Sequence, residues 1–354
     1  MSNDKRSSCI LVTGGAGYIG SHTIIELFGA GVETVISADS YVNSNEDTYA
    51  RIAAVCGKAP VFYETDLTDA AATEKIFAAH PEITGVIHFA ALKAVGESVE
   101  QPVAYYRNNL NSLLNVLELS ARYGVSSFIF SSSCTVYGQP ERFPVNESTP
   151  LLAPASPYGY TKVVGERIIS DFAANHPQMQ FVLLRYFNPV GAHPSGLIGE
   201  VQLQKPNNLV PIVTMVAAGI MPQLTVYGGD YPTRDGTCIR DYVHVCDIAD
   251  AHVKALSYAG TRRGEPDNLD VFNLGSGNGV TVTEAIHAFE KVSGVPLNYR
   301  VGPRRAGDIT AIYSDSSKAE KTLGWTARHS IEDMMRSAWK WQERLLSEKA
   351  APRP

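Results

Sequence analysis

The first half of the chain alternates short apolar runs with longer stretches of helical spacing. Six apolar runs of strand length lie at residues 9–13, 33–38, 61–66, 85–91, 127–130 and 181–187. Between them, apolar residues recur at helical intervals, as at 70–79 and in one long helix expected from 97 to 123. Strands that alternate with helices are typical of a parallel sheet covered on both faces. The pattern therefore predicts an α/β fold with a doubly wound, mostly parallel sheet.

The pattern becomes less regular after residue 188, where Gly and Pro are more frequent. We place a domain boundary there, with a nucleotide-binding domain at 9–188 and a smaller mixed α/β substrate-binding domain at 189–348. Some crossover of the chain between the two domains is expected. A chain of 354 residues with 44% hydrophobic content can bury the core that this arrangement needs.

A glycine-rich turn lies between the first predicted strand and the first predicted helix. Gly14, Gly17 and Gly20 have the spacing GxxGxxG, which allows a tight turn, close approach of a pyrophosphate, and packing of helix on strand. Phosphate would bind at the helix N-terminus. The second strand ends at Asp39, an acid that binds ribose hydroxyls and repels a 2′-phosphate. The spacing predicts a Rossmann domain that binds NAD rather than NADP.

Two further strands end in small or polar residues. In doubly wound sheets the ligand lies at the carboxyl ends of the strands. The residues expected to line the cofactor on this ground are Asp66, Leu67, Phe89, Ala90, Ala91 and Lys93. The small side chains among them allow close approach, whereas His88 is expected to be a core residue.

Tyr158 and Lys162 lie four residues apart at the start of a predicted helix, so they would share one helix face. Pro157 suits the first helical position. A cation about 4 Å from a phenol is worth roughly 4 kcal/mol at intermediate dielectric, or about three pKa units. Lys162 can thus make Tyr158 a usable proton acceptor. By itself, the pattern fits more often a buried tyrosine beside a surface lysine.

Three serines, Ser131 to Ser133, end the fifth predicted strand, twenty-five residues before Tyr158. Hydroxyls at that strand end can reach the same site, where Ser133 would share a substrate hydroxyl with Tyr158. A serine cluster taken alone is more often a loop.

The second half supplies amides, guanidinium groups and aromatic faces. They occur in the segments 206–209, 226–229, 233–236, 240–245 and 303–308. Arginine binds phosphate through charge-assisted bidentate hydrogen bonds, so these segments suit a nucleoside diphosphate. Arginines scattered along a sequence are otherwise more often solvent-exposed surface residues than ligands.

Composition argues against several other classes of protein. The net charge is −6 and the thirty Lys and Arg residues are scattered, which disfavours nucleic acid or an anionic membrane as a partner. Five cysteines without a CxxC pair predict neither a disulfide framework nor a metal site. The first apolar run is too short for a signal peptide or a membrane span, so a cytoplasmic protein is expected.

Read together, the motifs resemble the UDP-glucose 4-epimerases, a family of extended short-chain dehydrogenases/reductases. The matching segments span nearly the whole chain and read TGGAGYIGSH, VIHFAALKAVGES, FIFSSSCTVYG, SPYGYTK, LLRYFNPVGAHPSG, VYGGDYPTRDGTCIRDYVHV and PRRAGD. The resemblance implies interconversion of UDP-glucose and UDP-galactose through a 4-keto sugar, with hydride passed to NAD and returned to the other face. NAD is expected to stay tightly bound, because each turnover regenerates it.

The resemblance also implies roles for individual residues. The catalytic residues would be Ser133, Tyr158 and Lys162. The NAD site would include Gly14, Gly17, Tyr18, Ile19, Gly20, Asp39, Asp66, Leu67, Phe89, Lys93, Asn108, Tyr158 and Lys162. The UDP-sugar site would include Lys93, Ser133, Tyr158, Asn188, Asn207, Asn208, Leu209, Arg240, Tyr242, Arg305, Asp308 and Ile312. Ser40 and Cys134 stand where the family commonly has Asn and Ala, and neither change removes a catalytic group.

Relatives in this family pair through the helix after residue 97 and the helix that starts at Tyr158, so a homodimer is expected. The candidate packing positions are Leu110, Leu113, Leu114, Leu117, Val163, Ile168 and Ile169. Helical spacing leaves open whether these residues face a partner or the core.

The residue four after the Asp of PRRxGD helps to set room for an N-acetyl group in this family, and here it is Ile312. A bulky Tyr at this place is associated with rejecting that group and a small residue with admitting it. We predict a preference for the unacetylated sugars, although a shift of one residue would place Tyr313 there instead.

Two alternative functions fit the motifs less well. Related dehydratases carry acidic residues at the positions of Ser133 to Thr135, and this chain has none. An NAD-sensing regulator on the same fold would not need Ser133, Tyr158 and Lys162 together.

Overall fold

The computed structural model describes residues 9–203, 206–305 and 308–350, and they form two compact units. The first unit contains residues up to Gly138, Ala153–Arg185 and Ala249–Phe272. The second contains Gln139–Leu152, Tyr186–Ile248 and the described residues from Asn273 onward. Neither unit is continuous in sequence. The assignment of NAD to one domain and UDP-sugar to the other stays a prediction.

The elements alternate as the apolar runs indicate. Up to residue 186 they are β1 (Cys9–Thr13), α1 (Tyr18–Gly29), β2 (Thr34–Asp39), α2 (Asp47–Cys56), β3 (Val61–Glu64), α3 (Ala70–Ala79), β4 (Ile83–His88), α4 (Val95–Glu100), α5 (Pro102–Arg122), β5 (Ser127–Ser131), α6 (Pro157–Ala173) and β6 (Gln180–Tyr186). A single 3-10 turn, Cys134–Tyr137, follows β5.

The remaining elements are shorter and less regular. They are β7 (Asn188–Val190), α7 (Leu209–Ala217), β8 (Leu224–Tyr227), β9 (Ile239–His244), α8 (Val245–Thr261), β10 (Leu269–Leu274), β11 (Gly279–Thr281), α9 (Val282–Ser293), β12 (Tyr299–Gly302), β13 (Ala311–Ile312), α10 (Ser317–Leu323) and α11 (Ile331–Ala350). No helix among the described residues is both long and apolar enough to cross a membrane.

A seven-stranded sheet with the order β10-β6-β5-β4-β1-β2-β3 forms the centre of the first unit. Strands β1 to β6 pair in parallel. Every residue of β1 and β5 is buried, as expected for parallel strands covered on both faces. The predicted doubly wound, mostly parallel sheet is confirmed. Strand order reverses between β1 and β4, and this reversal marks where such sheets bind ligands.

The second unit contains a smaller mixed sheet. Strand β9 pairs in parallel with β7 and β13 and antiparallel with β11. A separate core contains apolar residues of α7, α9 and α11. This is the smaller mixed α/β part that the irregular second half predicts.

The single long helix predicted from 97 to 123 is wrong. The chain forms α4 and α5 instead, and Pro102 starts the second helix. Proline lacks the amide hydrogen that a continuing helix would donate, and its ring crowds the preceding turn. Gln101 accordingly has a non-helical backbone, with φ −127° and ψ 54°.

Candidate cofactor and active site

The glycine turn after β1 has no room for a side chain at Gly14 or at Gly20. Gly14 has φ +71°, and a Cβ atom there would lie 2.9 Å from the backbone nitrogen of Ala90. A Cβ atom on Gly20 would lie 2.9 Å from the Cα of Gly15, so the first turn of α1 packs directly on the glycine turn. These contacts explain why Gly14 and Gly20 are glycines.

The N-terminus of α1 is open to an anion. Gly17 precedes the helix, and no side chain caps the helix there. Tyr18 and Ile19 begin α1, so their amide groups belong to the first turn, where amides have no intrahelical acceptor. Helix N-termini of this kind favour phosphate. The ammonium of Lys93 lies 6.0 Å from the ring centre of Tyr18 and adds positive charge nearby.

Asp39 lies beside the glycine turn as a fixed acceptor. Its Oδ2 accepts a hydrogen bond from the amide of Ala16 at 3.0 Å. Its Oδ1 accepts from the amide of Tyr41 at 3.0 Å and from the hydroxyl of Ser44 at 2.8 Å. A tight glycine turn, an uncapped helix N-terminus and an oriented carboxylate together fit the pyrophosphate and ribose of a dinucleotide.

The two further strand ends are held by hydrogen bonds to the backbone. The amide of Asn115 donates to the carbonyl of Leu67 at 2.9 Å, next to Asp66. The amide of Phe89 donates to the carbonyl of Thr13 at 3.0 Å and so continues the pairing of β4 with β1. Ala90 and Ala91 follow and are half-buried. The predicted lining residues therefore leave the sheet at β3 and β4, on either side of β1 and β2, the strands that end in the glycine turn and Asp39.

His88 is a core residue. It is buried, its Nδ1 lies 2.9 Å from the hydroxyl of Thr13, and its ring stacks on Phe128 and Phe130. Burial, with the charge of Lys162 as a smaller cause, lowers the pKa of His88 to about 3. The imidazole is therefore neutral near pH 7.

Lys162 is buried, so the alternative of a surface lysine does not hold. Its ammonium donates to the carbonyl of Ser131 at 2.7 Å and lies 4.9 Å from the ring centre of Phe130. Burial lowers the pKa of Lys162 from 10.5 to about 8. Tyr158 is also buried and lies one turn earlier on α6, whose N-terminus the Ser156 hydroxyl caps by accepting from Gly159 at 3.2 Å.

Ser133 lies where β5 passes into the 3-10 turn. Its hydroxyl accepts from the amide of Thr135 at 3.2 Å. A Cβ atom on Gly159 would lie 3.3 Å from the Cβ of Thr135, so the start of α6 packs closely on this turn. The structure thus brings the serine strand end and the Tyr158 helix together.

A buried ion pair behind the serines escaped the sequence reasoning. Arg185 binds Glu166 through two hydrogen bonds, of 2.9 Å from Nε and 2.6 Å from Nη2. The hydroxyl of Ser132 donates to Glu166 at 2.5 Å, and Arg185 donates to the hydroxyl of Tyr137 at 3.1 Å. Two features of the sequence could have indicated this ion pair: a glutamate four residues after Lys162 and an arginine within an apolar strand. Lys162 fixes the carbonyl of Ser131 and Glu166 fixes the side chain of Ser132, which sets the position of the next residue, Ser133.

The second unit groups several of the predicted UDP-sugar residues on its mixed sheet. Strand register pairs Asn188 with Tyr242 and Ile312 with Arg240. Burial raises the pKa of Tyr242 to about 12, so the phenol is neutral near pH 7. Leu209 packs against the same core as Tyr242. The exposed Asn207 and Asn208 precede α7, and Asn208 is the N-cap residue of that helix.

Arg240 and Arg305 share one carboxylate. Nη2 of each guanidinium lies 3.2 Å from Oδ1 of Asp308. Arg240 also donates to the carbonyl of Ile309 at 2.8 Å, and Arg305 lies over the ring of Tyr227. Two cations against one anion leave positive charge at this place for a phosphate.

Asp241 is a second residue that sequence reasoning missed. It is buried between the two predicted ligands on β9 and accepts five hydrogen bonds, of 2.6–3.2 Å, from Ser276, Gly277 and Ser314. Because Ser314 follows β13, these bonds fix the strand pair that carries Arg240 and Ile312. Ile312 itself is buried, and the ring of Tyr313 stacks on Phe143.

Comparison with known proteins gives consistent matches. The model of the NAD dependent epimerase/dehydratase family matches residues 10–275. The UDP-glucose 4-epimerase of Bacillus subtilis is 50% identical over 333 residues, which are 94% of this chain and 96% of that protein. The matches confirm the family resemblance that the motifs indicate.

Two solved structures are similar throughout. UDP-glucose-4-epimerase from Stenotrophomonas maltophila, with bound NAD and formylated UDP-arabinopyranose, has a TM-score of 0.92 and 45% identity, covering 97% of this chain and 100% of that one. The Bifidobacterium longum UDP-glucose 4-epimerase, in complex with NAD+ and UDP, has a TM-score of 0.90 and 47% identity, covering 95% and 98%.

Proposed function

Because the chain belongs to the NAD dependent epimerase/dehydratase family, we propose that it interconverts UDP-glucose and UDP-galactose by inverting carbon 4 of the sugar. The observation that carries the proposal is the buried ammonium of Lys162, which donates to the carbonyl of Ser131 one helical turn after Tyr158. Relatives that carry the name UDP-glucose 4-epimerase share about half of its residues, as in Bacillus subtilis at 50%.

Tyr158 is the proton acceptor and donor. Its phenolate oxygen would take the proton of the sugar 4-hydroxyl, and the phenol so formed would return that proton after inversion. The buried charge of Lys162 favours the phenolate form because a nearby cation stabilises an anion strongly where water is excluded. Ser133 would share the same sugar hydroxyl and orient it toward Tyr158.

The cofactor in this proposal is NAD, which when bound accepts the hydride from carbon 4 and returns it to the opposite face. The glycine turn would hold its pyrophosphate and Asp39 its ribose hydroxyls, through the contacts described above. Asp66, Leu67 and the segment 89–93 would surround the rest, together with Asn108 on α5.

UDP binding is assigned to the second unit. Arg240 and Arg305 would bind the diphosphate, because both guanidinium groups bind the same carboxylate, that of Asp308. Asn188, Asn207, Asn208, Leu209 and Tyr242 complete the proposed set, and Ile312 would border the sugar. Holding the nucleotide while the keto sugar turns is what allows return to the other face.

A dehydratase is the main competing function within this family. Elimination of water needs an acid and a base near the sugar, yet the positions after Ser133 are Cys134 and Thr135. A dehydrogenase would use the same tyrosine and lysine, so only the experiment below distinguishes it from an epimerase.

The proposal is tested on purified, desalted protein without added NAD. We expect the absorbance of bound nucleotide and conversion of UDP-glucose to UDP-galactose until equilibrium. Strict dependence on added NAD, with an oxidised sugar accumulating, would establish a dehydrogenase instead.

A homodimer is part of the proposal. Among the candidate positions, Leu113, Leu117 and Ile169 are core residues, whereas Leu114 on α5 is 40% exposed. On α6, Tyr160 is 46% exposed and its ring contacts Tyr106 of α5. These exposed residues on two adjacent helices support pairing of two copies. Light scattering at micromolar concentration is expected to give twice the 38.3 kDa chain mass, and a monomer would refute the idea.

A cytoplasmic location is also proposed, because a reduced compartment suits cysteines that form no disulfide among the described residues.

A further inference from the structure

Asn109 is a buried amide on α5 whose hydrogen-bonding groups are all used. Its Oδ1 accepts from the amide of Leu92 at 2.8 Å and from Nδ2 of Asn108 at 2.9 Å. Its Nδ2 donates to the carbonyl of Leu92 at 3.0 Å and to the hydroxyl of Thr161 at 3.1 Å. An asparagine side chain has two donor hydrogens and two acceptor positions, so no group is left over.

Two of these bonds, one at each end of the amide, hold the backbone of Leu92. Leu92 lies in the segment Phe89–Lys93, which leaves β4, and it lies beyond Phe89, whose amide still pairs with Thr13 of β1. Backbone groups outside a sheet need other partners when they are shielded from water. Asn109 supplies partners for both backbone groups of Leu92 and so fixes the segment near its end, between Ala91 and Lys93.

The remaining bonds reach the catalytic helix and Asn108. Thr161 is buried on α6 between Tyr158 and Lys162, and its hydroxyl donates to the carbonyl of Tyr158 at 2.7 Å. The bond to Asn108 orients a side chain assigned to NAD. One amide thus joins the three segments that carry the proposed cofactor and proton-transfer groups.

We propose that Asn109 is a positioning residue that fixes the segment Phe89–Lys93 against the Tyr158 helix, so that cofactor and proton acceptor keep their relative position. The inference rests on the proposed function, since it assigns NAD to that segment. The competing interpretation is an ordinary core amide, which supports folding and has no influence on cofactor or turnover.

The test variant is Asn109→Asp, which keeps the shape and Oδ1 but replaces the donor with an oxygen that faces the carbonyl of Leu92. The substitution removes both hydrogen bonds that Nδ2 donates and leaves the carbonyl of Leu92 without its donor, which predicts roughly 10- to 100-fold weaker retention of NAD. NAD that stays with the holoenzyme through gel filtration, and the rate of NAD loss on dilution, measure this effect. With saturating NAD restored, kcat falls while KM for the UDP-sugar changes less than about twofold.

The matched control is Asn111→Asp, the same change at an exposed position of the same helix. It is expected to retain NAD and turn over like the wild type. Thr161→Val leaves both bonds to Leu92 in place but removes the bond from Asn109 to α6, together with the bond that the Thr161 hydroxyl donates to the carbonyl of Tyr158. We expect kcat to fall while NAD retention stays near normal, whereas Thr161→Ser keeps the hydroxyl and restores kcat.

An Asn109→Asp protein with a lower melting temperature but wild-type NAD retention and kcat, measured well below that temperature, would overturn the inference. If this variant does not fold, the Thr161 pair decides: equal kcat for Val and Ser contradicts it. Failure of the wild type to epimerise rejects the proposed function separately, because NAD retention by the variants is measured without any sugar.

Discussion

Each unit contains an arginine bound to a carboxylate, and the two pairs differ in every respect that matters for function. Arg185 and Glu166 are 7% and 6% exposed and meet through two hydrogen bonds. Arg240 and Asp308 are each 16% exposed and meet through one bond of 3.2 Å. Asp308 is also shared with Arg305, which is 51% exposed.

The difference indicates that the Arg185–Glu166 pair supports the structure, whereas the Arg240–Asp308 pair belongs to a ligand site. Glu166 neutralises Arg185, and both serve to fix Ser132 and Tyr137. Arg240 and Arg305 together exceed the charge of their one carboxylate, and a diphosphate can satisfy them. The comparison predicts that the first unit governs kcat and stability and that the second governs binding.

Tyr158→Phe is expected to have the largest effect. It removes the proton acceptor and keeps the ring, so kcat should fall on the order of 10²–10⁴. KM for UDP-galactose should change little, whereas Arg305→Met should raise KM and leave kcat nearly intact. Steady-state kinetics of both variants check the division, and near-normal turnover by Tyr158→Phe would reject the assignment of this residue.

Arg185→Met tests the scaffold side. It leaves the buried carboxylate of Glu166 without its partner, which costs about 3–5 kcal/mol of unfolding free energy. Arg305→Met, at a half-exposed position, should cost less than about 1 kcal/mol. Urea denaturation measures both. If both variants lose the same unfolding free energy, Arg185 is no more important for stability than Arg305.

The pKa of Lys162 predicts how activity depends on pH. The ammonium loses its proton as pH rises through about 8. Because Tyr158 then loses its cation, kcat should be about tenfold lower at pH 9 than at pH 7. Lys162→Arg keeps its charge throughout, so its kcat, although lower, should not fall over that range. Parallel profiles for the two proteins would contradict the role of Lys162.

The same shift affects stability with a definite sign. The unfolded chain keeps this proton up to about pH 10.5, whereas the folded chain releases it near pH 8. Between these values the unfolded state binds more protons, so the wild type should gain stability relative to Lys162→Met as pH rises.

Specificity at Ile312 is the smallest predicted effect. A pocket change of this size alters discrimination by about 1–3 kcal/mol, so Ile312→Ala should raise the relative kcat/KM for N-acetylated UDP-sugars above that of Ile312→Tyr. The wild type should prefer the unacetylated pair. If the two variants discriminate alike, Ile312 does not limit the pocket.

Residues that act through their neighbours along the chain could be predicted from the sequence. The glycine turn with Asp39 and the Tyr158–Lys162 pair depend on spacings of a few residues within one turn or one βαβ unit, and local geometry fixes such spacings. The order of strands and helices followed from hydrophobic periodicity for the same reason. The break at Pro102 was also present in the sequence, but apolar spacing on both sides hid it.

Other features depended on contacts between distant segments. Glu166 meets Arg185 nineteen residues later, Asn109 meets Thr161 fifty-two residues later, and Asp241 meets Ser314 seventy-three residues later. Periodicity carries no information about such partners, because each isolated residue is equally compatible with a solvated surface. Only the crossing of helices over the sheet, and the pairing of strands far apart in the chain, decided which polar side chains were buried together.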